Sequence, residues 1–184
     1  MRVQLGARPE HDFTDPLGLL SDCHRRIEKF LQILLRVAGE CEGGEMSREH
    51  REALEAALNY FRKALPRHTE DEEQSLFPRL RETESTVARD ALEKVAALEA
   101  DHVAADGRHA RIDELGTVWL EQGRLTAPQT DEFRRILAEL REMYSKHIDV
   151  EDNALFPAAR AALDAQQISE IGHEMAQRRG IHTA

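Results

Sequence analysis

The 184-residue sequence predicts an all-α protein: an up-down-up-down antiparallel four-helix bundle with an additional short C-terminal helix. Three observations lead there. Apolar residues recur at alternating spacings of 3 and 4 along four long segments; Gly and Pro stand at isolated points; and β-branched runs are absent, with few aromatics. Short connections make successive helices antiparallel neighbours. The length suits a single domain over residues 1–184, with the bundle at about 15–160 and the C-terminal helix at about 165–180.

The first segment opens at "TDPLGLL", where Asp15 is suited to an N-cap and Pro16 to the first helical position. Its seam is Leu17, Leu20, His24, Ile27, Leu31 and Leu34, and it runs to about Gly39, where "CEGGEM" ends it. The second starts near Ser47 and runs to the first Leu-Phe-Pro, with the seam Leu54, Leu58, Phe61, Leu65, His68 and Glu72. Pro66 lies inside it and predicts a kink. The third covers roughly 86–121, with Ala91, Val95, Leu98, His102, Ala105, His109 and Ile112 in phase. The fourth begins near Pro128 and ends at the second Leu-Phe-Pro, with Phe133, Leu137, Leu140, Tyr144, His147 and Glu151 on its seam. Ile168, Ile171 and Met175 then form a short stripe that ends at Gly180.

One pattern occurs twice. "HTEDEEQSLFP" (68–78) and "HIDVEDNALFP" (147–157) both read His-x3-Glu-x3-Leu-Phe-Pro, 79 residues apart (147 − 68). Each is preceded by a helix with a seam histidine, His24 at 44 residues (68 − 24) and His102 at 45 (147 − 102), so the halves look related by a pseudo-twofold. The depth count places His102 opposite His147. Six polar side chains therefore converge inside the bundle: His24, His68, Glu72, His102, His147 and Glu151.

Burying them uncompensated costs several kcal/mol for each charged group, and a metal supplies the compensation. Imidazole and carboxylate suit Fe, Mn or Zn, and residues four apart on a helix reach one site together. Six donors suit two ions bridged by the glutamates, with two histidines on each. A lone His-x3-Glu is more often a surface pair; two copies in one seam phase, beside two further seam histidines, point to metal. Ferritin-like sites use Glu-x2-His and more carboxylates. A zincin needs His-Glu-x2-His, and "HEMAQ" at His173 ends in Gln177, so His173 and Glu174 read as surface or packing residues.

Bulk properties narrow the function. A formal net charge of −10 argues against nucleic-acid binding, which leans on Lys and Arg. Cys23 and Cys41 are separated by roughly 27 Å if both lie on one helix and read as free thiols of a reducing compartment. "MRVQLGARPEHDF" has no apolar signal region and no window approaches a membrane span, so a cytoplasmic protein with no membrane partner is expected.

The chain resembles bacterial hemerythrin-like proteins of the HHE cation-binding type, through "DPLGLLSDCHRRIEKFL", "HTEDEEQSLFPRL", "LEADHVAADGRH" and "HIDVEDNALFP"; the tail "IGHEMAQRRG" looks similar too. The resemblance implies a non-heme, oxo- or hydroxo-bridged di-iron centre, with Mn or Zn as substitutes, held by His24, His68, Glu72, His102, His147 and Glu151. It implies binding or sensing of O2, NO or peroxide. The alternative is a di-iron enzyme of oxidative or nitrosative stress defence that removes peroxide or NO or donates iron for iron–sulfur repair. The repair relatives usually carry an N-terminal cysteine segment, and no cysteine precedes residue 15 here. A sensor needs a separate protein partner.

There is one departure. The oxygen-carrying members have a fifth histidine four residues from the third-helix one, and here those positions are Leu98 and Asp106. His109 lies about 10 Å further along and reads as cavity-lining or packed. Glu70, Asp71 and Glu73 read as a solvated face, Glu73 with a minor prospect of touching metal. Glu99 is the expected hydrogen-bond partner of His102, Tyr144 reads as core with a hydroxyl near the site, and His11, His50 and His182 read as exposed.

Overall fold

The computed structural model describes residues 9–83 and 85–181, and among these every regular element is helical. Helix α1 is Pro16–Cys41. The second rod is α2 (Arg48–Lys63), α3 (Leu65–Asp71), a π-helical turn (Glu72–Leu76) and α4 (Phe77–Glu82). Helix α5 is Thr86–Gln122; the fourth rod is α6 (Ala127–Val150), a second π-helical turn (Glu151–Leu155) and α7 (Phe156–Ala162); α8 is Ala165–Arg178. Helix α1 packs between α2 and α6, and α5 closes the ring against both. His182 lies outside the described residues.

The starts follow side-chain chemistry. Asp15 accepts from the Gly18 N–H and Ser47 from the His50 N–H, as their residue types predict. Thr126 with Gln129, and Asp164 with Gln167, make reciprocal capping boxes on α6 and α8. Each such cap stabilises its helix by about 1 kcal/mol. Helix α1 runs two residues past Gly39, and Glu42 closes it in the left-handed conformation at φ 49°. At that end the loops are tied together: the Trp119 indole donates to the Gly44 carbonyl at 2.9 Å and the Leu125 N–H to the Gly43 carbonyl at 2.7 Å.

Pro66 interrupts the second rod at Ala64, as its missing N–H requires. The two Leu-Phe-Pro sequences behave otherwise. They do not end their helices; the chain runs on as α4 and α7. The reason is the wide turn before each. The Phe77 N–H bonds the Glu72 carbonyl and the Phe156 N–H the Glu151 carbonyl, five residues back instead of four. A proline ring displaces the carbonyl four residues before it, and the extra residue of a π turn absorbs that displacement.

The core has two parts. One runs from Ile27 and Leu34 through Leu54, Leu58, Ile112, Trp119, Phe133 and Leu140 at the Trp119 end. The other gathers Leu17, Leu20, Phe77, Leu80, Leu98, Phe156, Ile171 and Met175 at the α8 end. On each rod the buried histidines and glutamates lie in sequence at the junction of these two sets, with Ile148 of the first set falling between His147 and Glu151.

Candidate metal centre

The six side chains meet at one level. His24, His68, Glu72 and Glu151 form one group and Glu72, His102, His147 and Glu151 a second, the offered ligand atoms of each within 4.8 Å of one another. Both glutamates belong to both groups. All six residues are at least 93% buried. His102 and His147 face each other with Nε2 atoms 3.1 Å apart, and the rings of His24 and His68 meet edge to face.

Local structure aims each group. Residues 68 and 72, and 147 and 151, are one helical turn apart and share a face. His68 Nε2 lies 3.3 Å from Glu72 Oε1, and His147 Nε2 lies 3.2 Å from Glu151 Oε2. Across the bundle, His24 Nε2 comes within 3.1 Å of Glu151 Oε2 and His102 Nε2 within 3.4 Å of Glu72 Oε2. Both π turns begin at the shared glutamates.

For three of the four imidazoles a partner on the far side decides what the inner nitrogen offers; His68 Nδ1 is buried without one. His24 Nδ1 donates to Asp152 at 3.0 Å, and Ser21 donates to the same carboxylate oxygen at 2.7 Å. His102 Nδ1 donates to Glu73 at 2.8 Å. A neutral ring that donates from Nδ1 keeps a lone pair on Nε2, the atom facing inward. His147 has a longer contact, 3.4 Å, to Asp101.

Charge is finely set here. Burial alone depresses His24, but Asp152, Glu151 and Glu72 outweigh it and raise its pKa well above the ordinary value. Against the same burial, Glu72 and Glu73 push His102 up to about 9, and Glu151 raises His147. Burial wins at His68, which falls to about 4. Glu72, though buried, is held well below the carboxylate range by His68, His102 and His24. Protons and a cation compete for these same lone pairs.

The residues fit a metal. His24 Nε2 and all four carboxylate oxygens of Glu72 and Glu151 are buried without a hydrogen-bond partner. Buried polar atoms left without a hydrogen bond are rare and costly, and neutral imidazole with carboxylate is a donor set for first-row divalent metals.

A match to the hemerythrin HHE cation-binding domain covers residues 15–159. The chain belongs to that family. It is also 27% identical over 169 residues to an uncharacterized protein of Haemophilus influenzae, 92% of each chain being covered. The family and the two His/Glu groups make this hemerythrin-like chain a metal-binding protein.

Several neighbouring residues stand elsewhere than their sequence suggests. Glu99 does not reach His102; both its oxygens lie 2.7 Å from the Arg81 guanidinium, a charge-assisted pair stronger than a neutral hydrogen bond. Glu73 takes the place beside His102, and Asp152, unmarked in the sequence reading, does the same for His24. Its signal was available: it follows the second Glu as Glu73 follows the first. Asp71 is fully buried rather than solvated, because α8 covers it. The Tyr144 hydroxyl lies 2.8 Å from His109 Nε2. His109, stacked on Phe61, lines a cavity of about 190 Å³ with Leu58, Leu65 and Asp106. Leu98 is buried in the α8-end core and Asp106 is exposed, so neither offers a fifth imidazole's place a donor from inside. His11 and His50 are half-buried, His11 on Asp22 and His50 against Ser47 and Glu40. Both cysteines are free, Cys23 buried. No helix among the described residues is long and apolar enough to cross a membrane.

Proposed function

We propose that His24, His68, Glu72, His102, His147 and Glu151 hold two iron ions and that the pair binds O2, NO or peroxide. The observation that carries this reading is the sharing of both glutamates between two four-donor groups. Each group supplies two imidazoles; Glu72 presents Oε1 toward His24 and His68 and Oε2 toward His102, while Glu151 Oε2 lies between His24 and His147. Six ligands for one ion would leave no such division. Bound iron supplies one-electron chemistry and affinity for small oxygen and nitrogen molecules.

The protein's own contribution is placement. Asp152 and Glu73 fix the His24 and His102 rings and make the inner nitrogens more basic, so that a cation takes the place of a proton there. The Leu-rich and Phe-rich sets above and below exclude water from the layer between them. Two imidazoles per group, without the fifth histidine, leave room in each coordination sphere for a solvent or ligand atom. That openness favours a second reading, turnover of peroxide or NO at the same pair, over simple reversible carriage.

Anaerobic reconstitution with Fe(II), followed by O2, NO and H2O2 in turn, separates the readings by optical spectra. Two irons per chain and a stable, reversible oxygenated band support binding. Repeated peroxide or NO consumption supports turnover. One zinc per chain with no iron uptake overturns both.

A further inference from the structure

A polar network outside the six residues runs along the first π turn and its two flanks. Asp71, directly before Glu72, receives Arg179 at 2.6 and 3.2 Å and Arg178 at 3.0 Å, both from the end of α8. Arg178 also donates to Ser75 Oγ at 2.7 Å, and Ser75 donates to Glu174. Arg79 joins the Ser75 carbonyl at 2.9 Å to Glu174 at 2.7 Å. Residues 71, 75 and 79 are four apart, so α8 grips one face of the turn along its whole length. The grip is close: a Cβ on Gly172 would sit 2.0 Å from the Phe13 carbonyl oxygen, so α8 lies directly on the N-terminal segment, and Arg179 covers the Phe13 ring.

The pattern's second copy has none of this. The residues 79 positions on are Val150, Ala154 and Ala158, all apolar. The polar face therefore does not come with the His-x3-Glu pattern itself. It belongs to α8. The Glu72 carboxylate has no protein hydrogen bond of its own, and it starts a turn type that is rarely stable unsupported. The backbone that carries it is the stretch whose Asp71 and Ser75 side chains bond to α8 and its cap.

We propose that Asp71, clamped by Arg178 and Arg179, is the positioning residue for Glu72, so that docking of the C-terminal helix and metal binding stabilise one another. The inference rests on the metal reading above. Because linkage is reciprocal, metal tightens α8 as much as α8 tightens metal.

The test uses the full chain, anaerobic Fe(II) titration, and hydrogen exchange of the α8 amides with and without metal. In the wild type, Fe(II) slows exchange across α8. The pair Arg178→Gln/Arg179→Gln, and separately Asp71→Asn, weaken Fe(II) binding roughly 10–100-fold, the size of effect that outer partners of metal ligands produce. Leu54→Ala, in the Trp119-end core, destabilises the chain but keeps Fe(II) affinity. Asp71→Asn is nearly isosteric and decides the matter if the double variant fails to fold. Wild-type affinity in Asp71→Asn, an equal loss in Leu54→Ala, or α8 exchange indifferent to metal overturns the proposal. A wild type that takes up no iron sinks the di-iron reading alone. The clamp is then judged by the same comparisons with Zn(II), and no Zn(II) response overturns it too.

Discussion

The turns at Glu72 and Glu151 share one sequence pattern and one π-helical geometry, yet they are braced from opposite directions. The first is held from outside, by α8 arginines on Asp71 and Ser75. The second has apolar residues at those places and carries its polar support two turns earlier, where Tyr144 meets His109. Their counterparts in the first half are Leu65 and Leu31. What the two copies keep in common is the acid after the shared glutamate: Glu73 on His102 and Asp152 on His24. The repeat thus preserves the donors and what orients them, while the scaffold around each copy diverged.

The largest expected effect comes from the features both turns share. Glu72→Ala and Glu151→Ala each remove a donor common to both groups, so metal analysis should find at most one ion per chain in either variant. An unequal result, one variant keeping two ions, would break the equivalence of the turns.

Next comes the pair unique to the second half. Burial lowers the His109 pKa to about 4, against about 6.5 for an unfolded histidine. Neutral His109 therefore contributes stability that is complete above the unfolded value and is lost as pH falls through the folded one. The loss approaches roughly 3 kcal/mol. Urea unfolding of metal-free protein at pH 7 and pH 4 should show a smaller acid loss in His109→Gln than in wild type; equal losses would remove His109 from the account.

The shared acids sharpen the comparison further. Asp152→Asn and Glu73→Gln should each weaken metal binding about tenfold or somewhat more, with Asp152 the larger because Ser21 also depends on it; calorimetric titration reads both. The smallest effect belongs to Glu99→Gln. Its partner is Arg81, and partly exposed pairs contribute about 0–1 kcal/mol, so metal affinity should not move. A tenfold loss there would restore Glu99 as a partner of His102.

The seams that bring six donors to one level are legible because helix periodicity is a local property and the histidines stay in phase with Leu and Ile. The kink at Pro66 is legible for the same reason, a missing N–H. The continuation through Leu-Phe-Pro is not, since a proline signals a helix end unless the preceding turn widens. Asp71 looked solvated because its cover comes from α8, 107 residues away in sequence at Arg178, and charge runs carry no mark of what will dock on them. Glu99 misled because sequence shows which residues share a helix face but not which neighbouring helix outbids the nearest one.

The layer of imidazoles and carboxylates also cuts the hydrophobic interior into two blocks that do not merge. The rods run through both blocks, but the storey between the blocks is polar. A metal held there would rivet the upper half to the lower; without it, the Trp119 end and the α8 end are expected to open as separate foldons, and calorimetry of the metal-free chain should show two heat transitions instead of one.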